Sequence, residues 1–397
     1  MSTDNDTSSN FSYDGEAEPD TFSLSQLKAV VNRHFGESCE LEKLDEGGYH
    51  KVYNVLRSNG SPLDAVVRVA APAFPTDKLE SEVSTYKYLA AHTKIPVPQI
   101  YAWNSDASNP VGAEYMIMQK VPGVSSSQVW QDLPEEVKKN AISQVAQYLL
   151  EIFSLRFATC GSIYWTPQNG FHVGPIVNTP FYRALDGFVR IPGDVKPHNP
   201  NPHRGPFSTA TDYLLSFAKA EIAFLSENRS LAVSELGNDS TSGEQRLEQG
   251  ERDISTPESP FSFKLDDFRL SNIMINEETG QVTGLIDFEG TTITPLWECA
   301  VIPRWLQPPD DPESSYEGGP AESRIALRAQ FLDTVDKSNL GGEWRKAYEL
   351  GRPFRELPSR LRYQVNVWAS DSLEEWVDER LEWAKAHPRV RFPETDI

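Results

Sequence analysis

The chain has 397 residues with a formal net charge of −21, and 39% of its residues are hydrophobic. This length and apolar content allow two lobes with real cores, whereas the excess of carboxylates disfavours nucleic acid and anionic membrane surfaces as partners. Three scattered cysteines without a CxxC pair argue against a disulfide framework and predict a reducing, cytoplasmic location. No apolar run is long enough to span a bilayer, and the sequence gives no indication of the oligomeric state.

The chain is expected to begin with a disordered acidic tail over residues 1–22. This stretch is rich in Asp, Glu, Ser and Thr and has no basic residue before Lys28. Such a composition buries too little apolar surface to fold. The stretch also lacks the basic character of a transit peptide and the apolar run of a signal peptide.

Residues 23–121 are predicted to form a smaller lobe built on an antiparallel sheet. Apolar residues recur at helical spacing over residues 24–35, and Gly36 ends this first helix. Alternating polar and apolar residues then predict a hairpin that turns at Gly47-Gly48, followed by a nearly apolar third strand. A helix and two more strands follow. The predicted bounds are 39–44, 51–56 and 65–70 for the first three strands, 77–92 for the helix and 114–119 for the last strand.

Residues 122–397 are predicted to form a larger, mainly helical lobe. One strand pair interrupts the helices, at 272–276 and 282–288. Residues 229–259 contain no aromatic side chain and are rich in Ser, Glu and Gly, which predicts a flexible insertion. The predicted helices lie near 133–155, 209–227, 322–336 and 371–386.

The strand pair carries the residue spacing of a phosphoryl-transfer site. Asp267 and Asn272 have four residues between them, and the second strand leads to Asp287, as in kinase catalytic loops. Such a site needs one carboxylate to orient the attacking hydroxyl and take its proton. It also needs an amide oxygen and a second carboxylate to hold Mg²⁺. Because a short hairpin brings Asn272 and Asp287 to one edge, we expect an ATP- and Mg²⁺-dependent site here.

A lone charge in the third strand points to the same chemistry. Arg68 is flanked by apolar residues in this strand, and Glu82 lies on the apolar face of the following helix. A buried charge is costly unless it is paired. We therefore predict that Arg68 and Glu82 form an ion pair that steadies the nucleotide phosphates. The alternative is a structural ion pair without nucleotide contact.

The sequence resembles the aminoglycoside phosphotransferase family, and more closely its fungal members. The similarity covers roughly residues 38–305, with 229–259 as an insertion. It implies a two-lobed, protein-kinase-like α+β fold, with Asp267 as the catalytic carboxylate and Asn272 and Asp287 as Mg²⁺ ligands. The motifs that carry the resemblance are D-x-x-x-x-N followed by Ile286-Asp287-Phe288-Glu289, Gly47-Gly48-Tyr49-His50-Lys51-Val52, Ile95-Pro96-Val97-Pro98, Gly174-Pro175-Ile176 and Arg204-Gly205-Pro206-Phe207.

The resemblance also implies where a nucleotide would bind. Gly47, Gly48 and Val52 of the glycine-containing hairpin would contact it, together with the Arg68–Glu82 pair. Backbone groups of Gln119 and Val121, where the chain crosses between the lobes, would form hydrogen bonds with adenine.

Three positions depart from the kinase pattern or need an interpretation of their own. Leu265 stands where the motif usually has His, and Arg68 stands where kinases usually have Lys. Arg269 lies where protein kinases place a Lys that contacts the transferred phosphate, and a guanidinium fork suits phosphate oxygens. A solvated loop charge is the alternative for Arg269.

Three functions remain open from the sequence. The favoured one is phosphorylation of a hydroxyl group on a small molecule, because no long activation segment with an Ala-Pro-Glu ending follows Asp287. The second is a pseudokinase that binds nucleotide or acts as a scaffold, which Leu265 and Arg68 motivate. The third is nucleotidyl transfer on the same fold.

Overall fold

A computed structural model describes residues 22–47, 50–70, 76–178, 203–227, 260–309, 311 and 314–362, and also Asp378, Glu382, Lys385 and Ala386. The predicted acidic tail apart from Phe22, the predicted insertion 229–259 and most of the predicted helix 371–386 lie outside the described residues. Phe22 is buried, and its ring lies 6.4 Å from that of Tyr53. The predicted tail therefore extends one residue too far.

The smaller lobe is a five-stranded antiparallel sheet with one helix on each face. Its elements are α1 Leu24–Phe35, β1 Cys39–Glu46, β2 His50–Arg57, β3 Pro62–Ala70, α2 Asp77–His92, β4 Ile100–Asn104 and β5 Tyr115–Met118. The strand order is β1-β2-β3-β5-β4, and each neighbouring pair is antiparallel. Both helices have the bounds that the apolar spacing predicts.

Side chains along β3 alternate between the two helices. Val67 and Val69 belong to the buried cluster that contains Leu27 of α1. Val66 belongs to the cluster that contains the apolar residues of α2. Because successive side chains of a strand point to opposite faces, Arg68 lies on the α2 side of the sheet.

The larger lobe is mainly helical, and the part of it that the structure describes contains three small sheets. Within the described residues its helices are α3 Ser126–Val129, α4 Glu135–Ser154, α5 Ala210–Glu227, α6 Leu296–Cys299, α7 Ala321–Asp336 and α8 Gly341–Arg362. Its strands are β6 Val124–Ser125, β7 Ser162–Thr166, β8 Gly170–Gly174, β9 Phe261–Lys264, β10 Ile273–Ile275, β11 Val282–Leu285 and β12 Thr292–Pro295. They pair as β11-β10-β6, β12-β9 and β7-β8.

The prediction of a single strand pair in the larger lobe is wrong, since β7–β8 and β9–β12 also form. Strands β9 and β12 are four residues each and pair across the whole catalytic loop, so no local pattern identifies them. The predicted pair is real, but the first strand, predicted over 272–276, is shorter at both ends, and the second, predicted over 282–288, begins at Val282 as predicted and ends early. Residues Leu270–Asn272 form a 3₁₀ turn, and the second strand ends at Leu285.

The segment that connects the two lobes packs directly against the β10–β11 hairpin. After β5 it runs through residues 119–123 into β6, whose Ser125 pairs with Met274 of β10. The Ser126 hydroxyl then donates to the Ile273 carbonyl at 2.7 Å. These contacts tie the lobe crossing to the predicted metal-binding hairpin. A search of the described helices finds none with the length and hydropathy of a membrane span.

Candidate functional site

The β10–β11 hairpin brings Asn272 and Asp287 to the same end, as its predicted geometry requires. Ile273 pairs with Leu285, and the Ile286 N–H donates to the Asn272 carbonyl at 3.0 Å. The hairpin is held from the other side by the Ile95–Pro98 motif, because the Leu285 N–H donates to the Pro96 carbonyl at 2.8 Å.

The amide orientation of Asn272 is set by residues 265–271, the predicted catalytic loop. Its Nδ2 donates to the Asp267 carbonyl at 2.8 Å, and its Oδ1 accepts from the Ser271 hydroxyl at 3.2 Å. The residue is only 6% exposed. With the nitrogen committed to the loop, the amide oxygen is the atom of Asn272 that remains able to meet a cation.

Asp287 adopts a backbone conformation that is rare for any residue except glycine. Its φ is +64°, in the left-handed region that costs other residues free energy. The Asp287 N–H donates to the Tyr86 hydroxyl at 2.8 Å, and its Oδ1 accepts from Arg68 at 3.1 Å. Asp287 is thus fixed both through its backbone and through its carboxylate.

The Arg68 guanidinium joins the sheet, α2 and the chain end of the β10–β11 hairpin at Asp287. Its Nη1 donates to Glu82 Oε1 at 2.5 Å, so the predicted pairing is observed, and its Nη2 reaches Asp287. Burial works against the charge on Arg68, but the carboxylates of Glu82 and Asp287 raise its pKa well above the ordinary value. Burial raises the pKa of Glu82, and the charge of Arg68 opposes this shift.

A second set of charges beside Arg68 was not found from the sequence. Glu289 Oε2 lies 2.8 Å from Lys78 Nζ and 3.5 Å from His50 Nδ1. Burial raises the pKa of Glu289 to about 7, and Lys78 opposes the shift. Burial, with the charges of Arg68 and Lys78, lowers the pKa of His50 well below its ordinary value.

The predicted catalytic carboxylate lies on the loop that follows β9. Asp267 Oδ2 is 2.6 Å from Arg269 Nη2, and both side chains are partly exposed. Burial raises the pKa of Asp267, and Arg269 partly offsets this; the negative charges of Asp287 and Asp266 raise it further. Arg269 is therefore paired with the predicted catalytic carboxylate rather than solvated alone.

The predicted nucleotide-binding residues lie on the β1–β2 hairpin and in the lobe crossing. The Gly47 N–H donates to the His50 carbonyl at 2.9 Å, closing the turn; Gly48 lies outside the described residues. Val52 stands directly opposite Arg68 in the β2–β3 register. The Gln119 N–H donates to the Gln99 carbonyl at 2.8 Å, which leaves the Gln119 carbonyl as its backbone group for adenine.

Val121 packs against the β10–β11 hairpin. A Cβ placed on Gly284 of β11 would lie 2.5 Å from the Val121 side chain, so glycine permits this close approach. The predicted adenine contact and the predicted metal ligands are consequently parts of one packed unit.

The chain between Asp287 and β12 is short. Residues 288–291 complete it, with the Phe288 ring 5.0 Å from the Tyr86 ring in an edge-on arrangement. Thr292 of β12 then pairs with Lys264 of β9, immediately before the catalytic loop. The strand pair β9–β12 therefore connects the segment before Asp267 with the segment after Asp287, and no long loop follows Asp287 before β12.

The oxygen donors at this site fit Mg²⁺. Asn272 offers its amide oxygen and Asp287 a carboxylate, and hard oxygen ligands are those that Mg²⁺ prefers. His50, Asp287 and Glu289 also place three ligand atoms within 4.8 Å of one another. In that second set Lys78 already contacts the Glu289 carboxylate, and an imidazole nitrogen suits Mg²⁺ less well. Asn272 and Asp287 are the better candidates.

These features define a kinase-like protein of the two-lobed α+β class. They are a small antiparallel sheet, a helix whose Glu82 pairs with Arg68 on a strand, and two carboxylates and an amide on a loop and a hairpin. Within that class the chain belongs to the phosphotransferase enzyme family, whose sequence model matches residues 40–185 and 198–316. The resemblance inferred from the motifs is thereby confirmed.

The curated relatives of this chain include proteins of fungi. One is a subtelomeric hrmA-associated cluster protein of Aspergillus fumigatus, 28% identical over 326 residues, which span 70% of this chain and 62% of that protein. Another is the altered inheritance of mitochondria protein 9 of Yarrowia lipolytica, 23% identical over 355 residues, 74% of this chain and 59% of that protein. The chain thus spans about three fifths of the length of these relatives.

Solved structures with a similar course of the chain include aminoglycoside phosphotransferases. A thermostable mutant of APH(4)-Ia in a ternary complex with AMP-PNP and hygromycin B aligns with a TM-score of 0.48 and 17% identity, over 89% of this chain and 98% of that one. ADP-bound APH(2'')-Ib aligns with a TM-score of 0.48 and 15% identity, over 90% and 96%.

Proposed function

We propose that the protein transfers the terminal phosphate of ATP, with Mg²⁺, to a hydroxyl group of a small molecule. The observation that carries the proposal is the buried Arg68 guanidinium, which bridges Glu82 of α2 and Asp287 of the metal-binding hairpin. A fixed cation at the meeting point of sheet and hairpin is what a site for polyphosphate requires. Membership of the phosphotransferase family supports the same reaction type.

Each residue of the site has a role in this proposal. Asp267 orients the acceptor hydroxyl and takes its proton, a task that its raised pKa favours. Arg269 breaks its ion pair with Asp267 and then contacts the transferred phosphate. Asn272 and Asp287 would hold Mg²⁺, which when bound neutralises charge on the phosphate oxygens.

The remaining predicted contacts position the nucleotide. Arg68, aligned by Glu82, steadies the phosphates, and the hairpin residues Gly47, Gly48 and Val52 would contact the nucleotide. The backbone of Gln119 and Val121 bonds adenine.

A small molecule is favoured as the acceptor over a protein. Protein kinases hold peptide substrates with an activation segment that follows the second metal-binding Asp. Here residues 288–291 run directly into β12, which pairs with β9. The predicted cytoplasmic location stays a prediction, since the name of the Yarrowia relative assigns that protein to mitochondria.

One contact favours a second candidate, a pseudokinase. Arg68 donates to Asp287 Oδ1, and this carboxylate is the one that a metal ion would need. If that ion pair persists with nucleotide present, the site would bind ATP weakly and without metal.

The first experiment measures the thermal shift with ATP and Mg²⁺ for the wild type and Asp287→Ala. It is followed by ADP release with a panel of hydroxylated small molecules for the wild type and Asp267→Asn. We expect a metal-dependent shift that Asp287→Ala loses. We also expect turnover that Asp267→Asn lowers by about 10²- to 10⁴-fold with nucleotide binding intact. Binding without ADP release from any acceptor would favour the pseudokinase, and release of AMP would indicate nucleotidyl transfer.

A further inference from the structure

One face of α2 contacts the candidate site at three successive turns. Lys78, Glu82 and Tyr86 are spaced four residues apart and therefore lie above one another on the helix. Their side chains meet Glu289 at 2.8 Å, Arg68 at 2.5 Å and the Asp287 N–H at 2.8 Å, respectively. All three residues are at most 4% exposed.

The contact of Tyr86 differs in kind from the other two, because it reaches the backbone. Its hydroxyl accepts the Asp287 N–H at the residue whose φ is +64°. A left-handed backbone costs free energy at residues other than glycine, although Asp adopts it more often than most, so a contact that fixes this backbone stabilises it. The Tyr86 ring also packs edge-on against Phe288. Tyr86 thus binds the Asp287 N–H and packs against the side chain of the next residue, and both contacts restrict the backbone that directs the Asp287 carboxylate.

The helix that carries Tyr86 is itself anchored to the larger lobe at its first turn. Asp77 Oδ2 accepts from Arg204 Nη2 at 2.8 Å, and Arg204 is only 2% exposed. The Arg204 Nε donates to the Ile176 carbonyl at 2.8 Å, and the Ile176 N–H donates to the Arg204 carbonyl at 2.7 Å. These contacts join the Gly174–Ile176 and Arg204–Phe207 motifs, which have no role in the proposed reaction.

The middle of α2 is also bound to the larger lobe. Tyr88 packs edge-on against Phe171 of β8 at 5.2 Å and against Phe263 of β9 at 5.5 Å. The helix therefore has a defined position relative to the catalytic loop, independent of its contacts with the sheet. A residue on the buried face of α2 that contacts Asp287 therefore fixes the location of Asp287 relative to the larger lobe.

We propose that Tyr86 is a positioning residue for the metal-binding carboxylate of Asp287, and that the Asp77–Arg204 anchor keeps α2 in place for this task. The inference rests on the proposed function in that it takes Asp287 as the metal ligand. The backbone contact itself does not depend on that role.

The test is Tyr86→Phe, which removes one oxygen and keeps the ring against Phe288. Tyr213→Phe is the matched control, because Tyr213 is equally buried and its ring packs against Phe207 and Phe217 in the larger lobe, outside the site. Two measurements are made on the full chain. One is hydrogen exchange of the peptide containing residues 286–288 without ligand, and the other is ADP affinity by calorimetry as a function of Mg²⁺ concentration.

We expect Tyr86→Phe to speed exchange at Asp287 and to raise the half-saturating Mg²⁺ concentration by about tenfold, the effect of one lost buried hydrogen bond. Tyr213→Phe should change neither. Unchanged exchange in Tyr86→Phe, or a Mg²⁺ midpoint equal to that of the wild type, would overturn the inference. If the wild type binds no ADP with Mg²⁺, the proposed function fails, and the exchange measurement still decides whether Tyr86 holds this backbone.

Discussion

Neutralising Glu82 tests whether burial sets the contribution of the Arg68–Glu82 ion pair to the free energy of unfolding. Glu82→Gln keeps the size of the side chain and removes its charge. The Glu82 side chain is 1% exposed and that of Arg68 is 9% exposed, with 2.5 Å between their charged atoms. The substitution therefore leaves a guanidinium inside the protein without its nearest carboxylate.

The expected loss follows from the partners that remain. Removing one member of a buried ion pair costs about 3–5 kcal/mol. Asp287 still lies 3.1 Å from Arg68, so we expect a loss near the lower end, about 3 kcal/mol. Replacing both members with apolar residues, Arg68→Met with Glu82→Leu, should recover most of that stability, since no charge is then left buried. The same double variant should lose nucleotide binding.

The free energy of unfolding is measured by urea titration, with the slope checked for constancy between variants. The control is the Lys337–Asp333 pair, which has the same 2.5 Å separation but side chains that are 74% and 49% exposed. Asp333→Asn should cost less than about 1 kcal/mol. Equal losses from Glu82→Gln and Asp333→Asn would show that burial does not set the strength of the Arg68–Glu82 pair.

Two further predictions concern the backbone and pH. Gly123→Ala should strongly destabilise the lobe crossing, because φ is +97° there and a Cβ would collide with the Ile275 carbonyl. The measurement is thermal unfolding of this variant, and the control is Gly342→Ala, because a Cβ at Gly342 would meet open space. Burial raises the pKa of Glu114 from 4.5 to about 7 although it accepts the Thr76 N–H. The folded state then binds the proton more tightly, so the Glu114 contribution to stability should fall by up to about 3 kcal/mol as pH rises from 4.5 to 7 and then stay level. Urea titrations across this range should show a flatter profile in Glu114→Gln, and an unchanged profile would contradict the assignment.

The smaller lobe was largely predictable because its signals are local. Alternation, helical spacing and glycine turns placed α1, the first three strands and α2. A single charge in an apolar strand identified Arg68, and the apolar face of the next helix identified its partner, Glu82. Each inference needed only the order of neighbouring residues and the free-energy cost of burying a charge.

Parts of the site were missed although the sequence held a signal. Lys78 stands one turn before Glu82 on the same face, so a second buried charge on α2 could have been inferred. Its partner Glu289 and the Tyr86 contact with Asp287 depend on how α2 packs against a distant hairpin. No spacing along the chain contains that information.

The larger lobe shows two different reasons for error. Strands β7 and β8 do carry alternating apolar residues around a turn, a pattern that should have predicted a hairpin. Helix α8 was missed for the opposite reason, since Gly351, Pro353 and Pro358 lie within Gly341–Arg362 and argue against a helix. The intrinsic preferences of these residues are overridden there by the rest of the fold.

The short chain between Asp287 and β12 has a consequence for control of the protein. Many kinases are switched when phosphorylation orders a loop at this point of the chain. Here residues 288–291 are held between a fixed Asp and a strand pair, so a covalent switch of that type has no loop to order. Any control of this site would have to act through another part of the molecule or through the supply of the acceptor.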